Sequence, residues 1–185
     1  MWKKRKQHKK SVFVFLIGLL GTMGSAPPIQ TGGKVGQVAP EFTLPDIKGH
    51  PVRLQDFKGK PVVLNFWAFW CDTWKDEMPH LKALAARQDE LGFRLVAISV
   101  DGKRLQEFLN RTKGEVPFPV LLDAGGGVSA RYTISHVPTV VIVDAGGRVR
   151  SVKVGYPGNH VILAVLRPLK RHGSVNEPAV ERHAP

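Results

Sequence analysis

The chain has 185 residues, with 27 lysines and arginines against 15 aspartates and glutamates, a formal charge of +12 and 43% hydrophobic residues. That balance can fill a core, and the length suits one domain with appendages, which excludes a chain disordered throughout. A single cysteine excludes an internal disulfide framework and a Cys-rich zinc site, so any cysteine chemistry runs on one thiol.

The charge is concentrated at the start. Lys3, Lys4, Arg5, Lys6, Lys9 and Lys10 stand in the first ten residues without an acid among them, and the later cations are interspersed with acids, as in Lys75-Asp76-Glu77. No cationic motif stands out in the remainder, so nucleic acid is not an expected partner. An apolar stretch, Val12–Met23, follows the basic run and ends in Gly24, Ser25 and Ala26. Twelve helical residues span only about 18 Å of a hydrocarbon core of roughly 30 Å, the proportions of a secretory signal. Pro27 and Pro28 obstruct cleavage just after Ala26, and no cysteine lies nearby to carry a lipid. Residues 1–26 therefore read as a signal peptide or signal anchor with its charges inside, exporting the remainder to the periplasmic or outer side of the membrane. Residues 27–36, rich in Gly and Pro, read as a linker.

The folded domain is expected over residues 37–172. Phe42–Asp46 and Val52–Leu54 flank Gly49 as a small hairpin. Pro61–Ala68 (PVVLNFWA) is a near-continuous apolar run, a strand buried on both faces. Residues 73–91 place Met78, Leu81, Leu84, Ala85 and Leu91 near a helical period, closed by Gly92. Phe93–Val100 is a second buried strand and Arg104–Thr112 a short amphipathic helix. Val120–Leu122 is a brief strand, Val128–Tyr132 a helical turn, Thr139–Val143 the next strand and Arg148–Val154 an edge strand. Val161–Leu169 is the last helix, and residues 173–185 form a loose tail. Repeated β-α-β followed by a hairpin and a helix predicts an α/β sandwich with a mixed central sheet and a small N-terminal β-hairpin.

The chemistry points to Phe66–Pro79 (FWAFWCDTWKDEMP), where a buried strand meets a helix. A thiol in the first turn of a helix faces unpaired backbone N–H groups and the positive end of the dipole, which favour thiolate. Cys71 is therefore the candidate nucleophile. The seven histidines, including His80 and His136, show neither HExxH nor paired spacing, and Gly125–Gly127 lack a phosphate-cradling context. No metal and no cofactor are expected.

Residue by residue, this stretch resembles the TlpA/ResA-type branch of the thioredoxin superfamily, membrane-tethered thiol-disulfide oxidoreductases with a redoxin (AhpC/TSA-like) domain and a WCxxC motif. Trp70, Cys71, Glu77, Met78 and Pro79 match that pattern. Gly36–Leu44 looks like the family's opening segment, Asp56–Trp67 its core strand, and Val137–Asp144 the strand after its cis-proline. The resemblance covers residues 36 to 170. It implies a thioredoxin-like α/β/α sandwich, thiol-disulfide exchange serving cell redox homeostasis, and catalytic roles for Cys71, Glu77 and Pro138. It also implies a cis bond between Val137 and Pro138 that receives a substrate backbone, making Val137 a substrate contact. His136, two residues earlier, reads as an exposed loop histidine.

The sequence departs from the family where the second cysteine belongs, at Trp74. In a dithiol enzyme that cysteine resolves the mixed disulfide formed by the first. Here Cys71 can attack, but no intrachain thiol can resolve. The expected activity is monothiol exchange with an exported protein or with low-molecular-weight thiols and disulfides, resolved by an external thiol or by a Cys71-linked dimer. Trp70 and Trp74 flank the thiol, either as an apolar docking surface or, for Trp74, as a lid that leaves the thiol inert. Two alternatives stand beside this. One is a redox-silent thioredoxin-fold module that binds an exported partner. The other is a one-cysteine peroxidase, disfavoured because Leu64 and Ala68 occupy the peroxidase proline and threonine positions.

Overall fold

The computed structural model describes residues 30–100 and 116–172. The expected signal or anchor over 1–26, the helix at Arg104–Thr112 and the tail from 173 lie outside the described residues. No helix among the described residues is long and apolar enough to cross a membrane.

Two short antiparallel strands, β1 (Thr43–Pro45) and β2 (Pro51–Arg53), form the N-terminal hairpin. The main sheet holds β3 (Val62–Trp67), β4 (Arg94–Ser99), β5 (Val120–Leu122), β6 (Thr139–Val143) and β7 (Val149–Val154) in the order β5-β4-β3-β6-β7. β3, β4 and β5 run parallel, and β6 and β7 continue antiparallel, so the sheet is mixed and β7 lies on its edge. The helices are α1 (Trp74–Ala85), α2 (Gln88–Leu91), α3 (Gly127–Arg131) and α4 (Asn159–His172).

Every residue of β3 and β6 is buried, because both faces of the sheet are covered. Alternation assigns the faces. Val63, Trp67, Val140 and Ile142 pack under α1 and α4 with Leu81, Leu84, Ile162 and Leu166. Leu64, Phe66, Val141 and Val143 pack on the other side against Phe42, Leu44, Leu54, Val128 and Tyr132. The expected α/β sandwich with a mixed sheet and a small hairpin is the architecture observed.

Three details differ from the sequence reading. The helix expected over 73–91 is two helices, broken at Ala86–Arg87. The break frees the Gln88 side chain to accept from Leu95 N of β4 at 3.2 Å and to donate to Pro117 O at 3.3 Å. Gly92, at φ 71°, caps α2. Second, part of the stretch read as a linker is fastened to the domain: Val38 N donates to Gln30 O, Gly32 N to Val38 O and Gly36 N to Val149 O, all within 2.9 Å. A Cβ on Gly33 would stand 2.1 Å from Tyr132 O, so glycine is required at that crossing. Third, the turn at Gly127–Arg131 is held by a buried acid. Asp123 accepts from Val128 N at 3.2 Å, Ser129 N at 2.8 Å and Ser129 Oγ at 2.6 Å.

Trp74 opens α1 and is part of the core. It is 6% exposed, with its ring 5.8 Å from Trp67 and 5.2 Å from Phe69, both contacts tilted. Truncating a buried indole removes its transfer free energy and leaves a cavity. Trp74→Cys is therefore expected to cost about 3 kcal/mol or more, read as a lower denaturant midpoint at unchanged m. Asp123→Ala strands two backbone donors and is expected to cost about 2–3 kcal/mol on the same measurement, with Asp123→Asn recovering part of it.

Candidate functional site

The β3–β6 register pairs Phe66 with Thr139, which places Pro138 at the level of Trp67, where β3 leaves the sheet. The chain then turns: Cys71 N donates to Ala68 O at 3.2 Å, Trp74 N to Cys71 O at 3.3 Å and Glu77 N to Thr73 O at 3.0 Å. These turns bring Cys71 back over the start of β6. Its sulfur lies 3.8 Å from Val137 O, and the Val137–Pro138 bond is cis. Cys71, Val137 and Pro138 therefore meet at one end of the sheet.

Cys71 sits two residues before the helix N-cap, Thr73, and so precedes the first turn of α1 rather than occupying it as the sequence suggested. Its immediate partners are specific groups: Thr73 Oγ1 at 3.2 Å and the Val137 carbonyl. The thiol proton can be donated to that carbonyl, while the Thr73 hydroxyl can donate to sulfur. Lys75 is engaged by Asp72 at 2.6 Å, so a neighbouring acid already pairs this cation. The thiol is partly exposed.

The two tryptophans part company. Trp70, the residue before Cys71 in the chain, is 63% exposed. Trp74 is neither docking surface nor lid. Its indole turns inward onto Trp67 and Phe69, because position 74 is in phase with the buried stripe of α1 at Met78, Leu81 and Ala85. Cys71 itself is partly exposed.

Glu77 shares that inward face and is 5% exposed. Burial, the largest influence, raises its carboxyl above the usual range and Asp76 adds to this, while Thr73 and Asn65 oppose it. Tyr156, after β7, is pushed up to about 12 by burial and by the charge of Glu77. Its hydroxyl donates to Asn159 Oδ1, and Asn159 Nδ2 reaches His80 O at 2.9 Å. His136 is exposed and bonds Ser135 Oγ at 2.9 Å. No cluster of three metal-ligating side chains exists among the described residues.

Three participants escaped the sequence reading. Thr73 touches the sulfur, a contact that depends on the turn before α1. Tyr156 approaches Glu77 from a distant loop. Asn65 was legible as the one polar residue in the apolar run Pro61–Ala68, and it proves 1% exposed in the middle of β3.

Comparison with known proteins places this arrangement. The AhpC/TSA family matches residues 35–152. The thiol-disulfide oxidoreductase ResA of Oceanobacillus iheyensis is 41% identical over 112 residues, covering 57% of this chain and 57% of that protein. ResA of Geobacillus kaustophilus is 33% identical over 126 residues, covering 68% of this chain and 72% of that protein. Among solved structures, the exposed lipoprotein thioredoxin Etrx1 of Streptococcus pneumoniae superposes with a TM-score of 0.62 at 28% identity, over 70% of this chain and all of that one. The chain belongs to the AhpC/TSA family, as a thioredoxin-fold member of ResA type.

Proposed function

We propose that this protein is a thiol-disulfide oxidoreductase that works outside the cytoplasm through Cys71 alone. The observation that carries the reading is the placement of the sulfur: partly exposed and 3.8 Å from Val137 O at the cis-proline, with the indole of Trp74 withdrawn into the core. Relatives named as thiol-disulfide oxidoreductases support it.

The chemistry is exchange without storage. The Cys71 thiolate attacks one sulfur of a substrate disulfide. A Cys71–substrate disulfide forms as the substrate S–S bond breaks, and the leaving thiolate takes up the proton released by Cys71. A second thiol, from the substrate itself or a small-molecule thiol, then attacks the substrate sulfur and returns Cys71 as thiolate. Two electrons are passed between partners and none are kept on the enzyme. Val137 and Pro138 present backbone to the incoming chain, and Trp70 supplies apolar contact beside it. Residues 1–26 tether or export the domain; similarity to a protein named as an exposed lipoprotein supports that side of the membrane.

In native protein, iodoacetamide is expected to label Cys71 to one equivalent without denaturant. In cells quenched with acid and alkylated, non-reducing gels should show reducible adducts that vanish in Cys71→Ser and weaken severalfold in Trp70→Ala. Labelling only after unfolding would sink the exchange reading. Undiminished partner capture by Cys71→Ser would instead favour a redox-silent binding module.

A further inference from the structure

The face of the sheet under α1 encloses a polar pair within apolar packing. Asn65, between Val63 and Trp67 on β3, and Glu77 on α1 line one cavity together with Trp67, Trp74, Met78, Leu81, Ala97 and Val120. The non-atom space there is about 240 Å³, of which about 10 Å³ can hold the centre of a water molecule. One buried water needs on the order of 10–15 Å³ measured that way, with two to four polar partners. Both polar atoms of the Asn65 amide and Glu77 Oε2 are buried without a hydrogen-bond partner among the described residues. Groups this deep carry their full desolvation cost unless something bonds to them. The rest of the shell is the apolar Met78, Leu81, Ala97 and Val120 and the two indoles of Trp67 and Trp74.

We infer that this cavity is a built site for one internal water, which bridges the Asn65 amide of β3 to the Glu77 carboxyl of α1. Either end of the amide serves, since water both donates and accepts. Glu77 Oε2 bonds to the water, and the bridge ties the helix to the strand. Of the groups facing Glu77, burial and Asp76 on its own helix disfavour charge, Thr73 and Asn65 favour it through their side chains, Tyr156 approaches from the loop after β7, and β4 and β5 contribute only Ala97 and Val120. This site is independent of whether Cys71 exchanges disulfides.

The test compares the whole protein with Glu77→Gln, which keeps the hydrogen bonds and removes the titration, and Glu77→Met, which fills the space with apolar atoms. Oxygen-17 relaxation dispersion counts long-lived internal waters. Wild type and Glu77→Gln should agree, and Glu77→Met should show one fewer. A high-resolution crystal structure of the wild type should show an ordered peak about 2.6–3.2 Å from both the Asn65 amide and a Glu77 oxygen. The structure also decides the matter should Glu77→Met fail to fold. The sign of the pH effect is fixed. An acid raised in the folded state contributes its stability below its ordinary value of 4.5 and loses it as pH rises through the raised value. Wild-type stability relative to Glu77→Gln should therefore fall as pH climbs above that value. Equal water counts in wild type and Glu77→Met, a direct Asn65–Glu77 hydrogen bond with no peak between them, or a pH-independent stability difference would each overturn the site.

Discussion

The structure turns on where one indole goes. Trp74 occupies the position at which a ResA-type chain carries its second cysteine, and it is packed against Trp67 and Phe69 beneath the start of α1. That contact fixes the first turn of the helix on the sheet, and with it the run of turns from Ala68 to Thr73 that carries the sulfur. Burial of three large aromatic rings at one strand-to-helix junction outweighs anything a half-exposed cysteine could contribute there, since each aromatic side chain removes far more apolar surface from water. The residue that stands in place of a second cysteine thus packs at the base of the segment that carries Cys71.

This joins redox chemistry to packing in an uncommon way. A dithiol enzyme stores two electrons as its reduced thiol pair and releases them on forming an internal disulfide, so its cycle is set by the potential of that pair. In the exchange proposed for Cys71 alone, the equilibrium is set by the two partners exchanging sulfur, and the protein's contribution lies in presentation. The elements of presentation are all at the end of β3: a sulfur held by Thr73 and Val137, a backbone turn at Pro138, and the exposed face of Trp70. The loss of one thiol leaves these intact because none of them depends on it.

Much of this was legible in the sequence, and the physical reasons are specific. The runs at 61–68, 93–100 and 139–143 are continuously apolar because both sheet faces are covered, and they became β3, β4 and β6. The split of the long helix was hidden because helical periodicity continues through Leu91, whereas the break goes with tertiary bonds of the Gln88 side chain to Leu95 and Pro117. The direction of Trp74 was available and overlooked: positions 74, 78, 81 and 85 are spaced as one helical stripe, so the core face of α1 begins at the tryptophan. Reading it as the neighbour of Cys71 in sequence obscured that it is the neighbour of Met78 in space. The contact of Thr73 with sulfur could not be read, because it requires the thiol to precede the helix rather than begin it.

The stripe that draws Trp74 inward also draws Glu77, three residues on. Family resemblance assigns that acid a role beside the cysteines, yet here the residue one turn before it is a core indole, and the carboxyl opens onto Asn65 within the packed layer. A buried acid is tolerated when it is neutral and hydrogen-bonded, and is costly otherwise. Position 74 therefore couples three things at once: the absence of a resolving thiol, the integrity of the aromatic core and the surroundings of Glu77. Restoring a cysteine there would reopen space beside a buried carboxyl as well as supply a thiol, so its redox and packing effects arrive together.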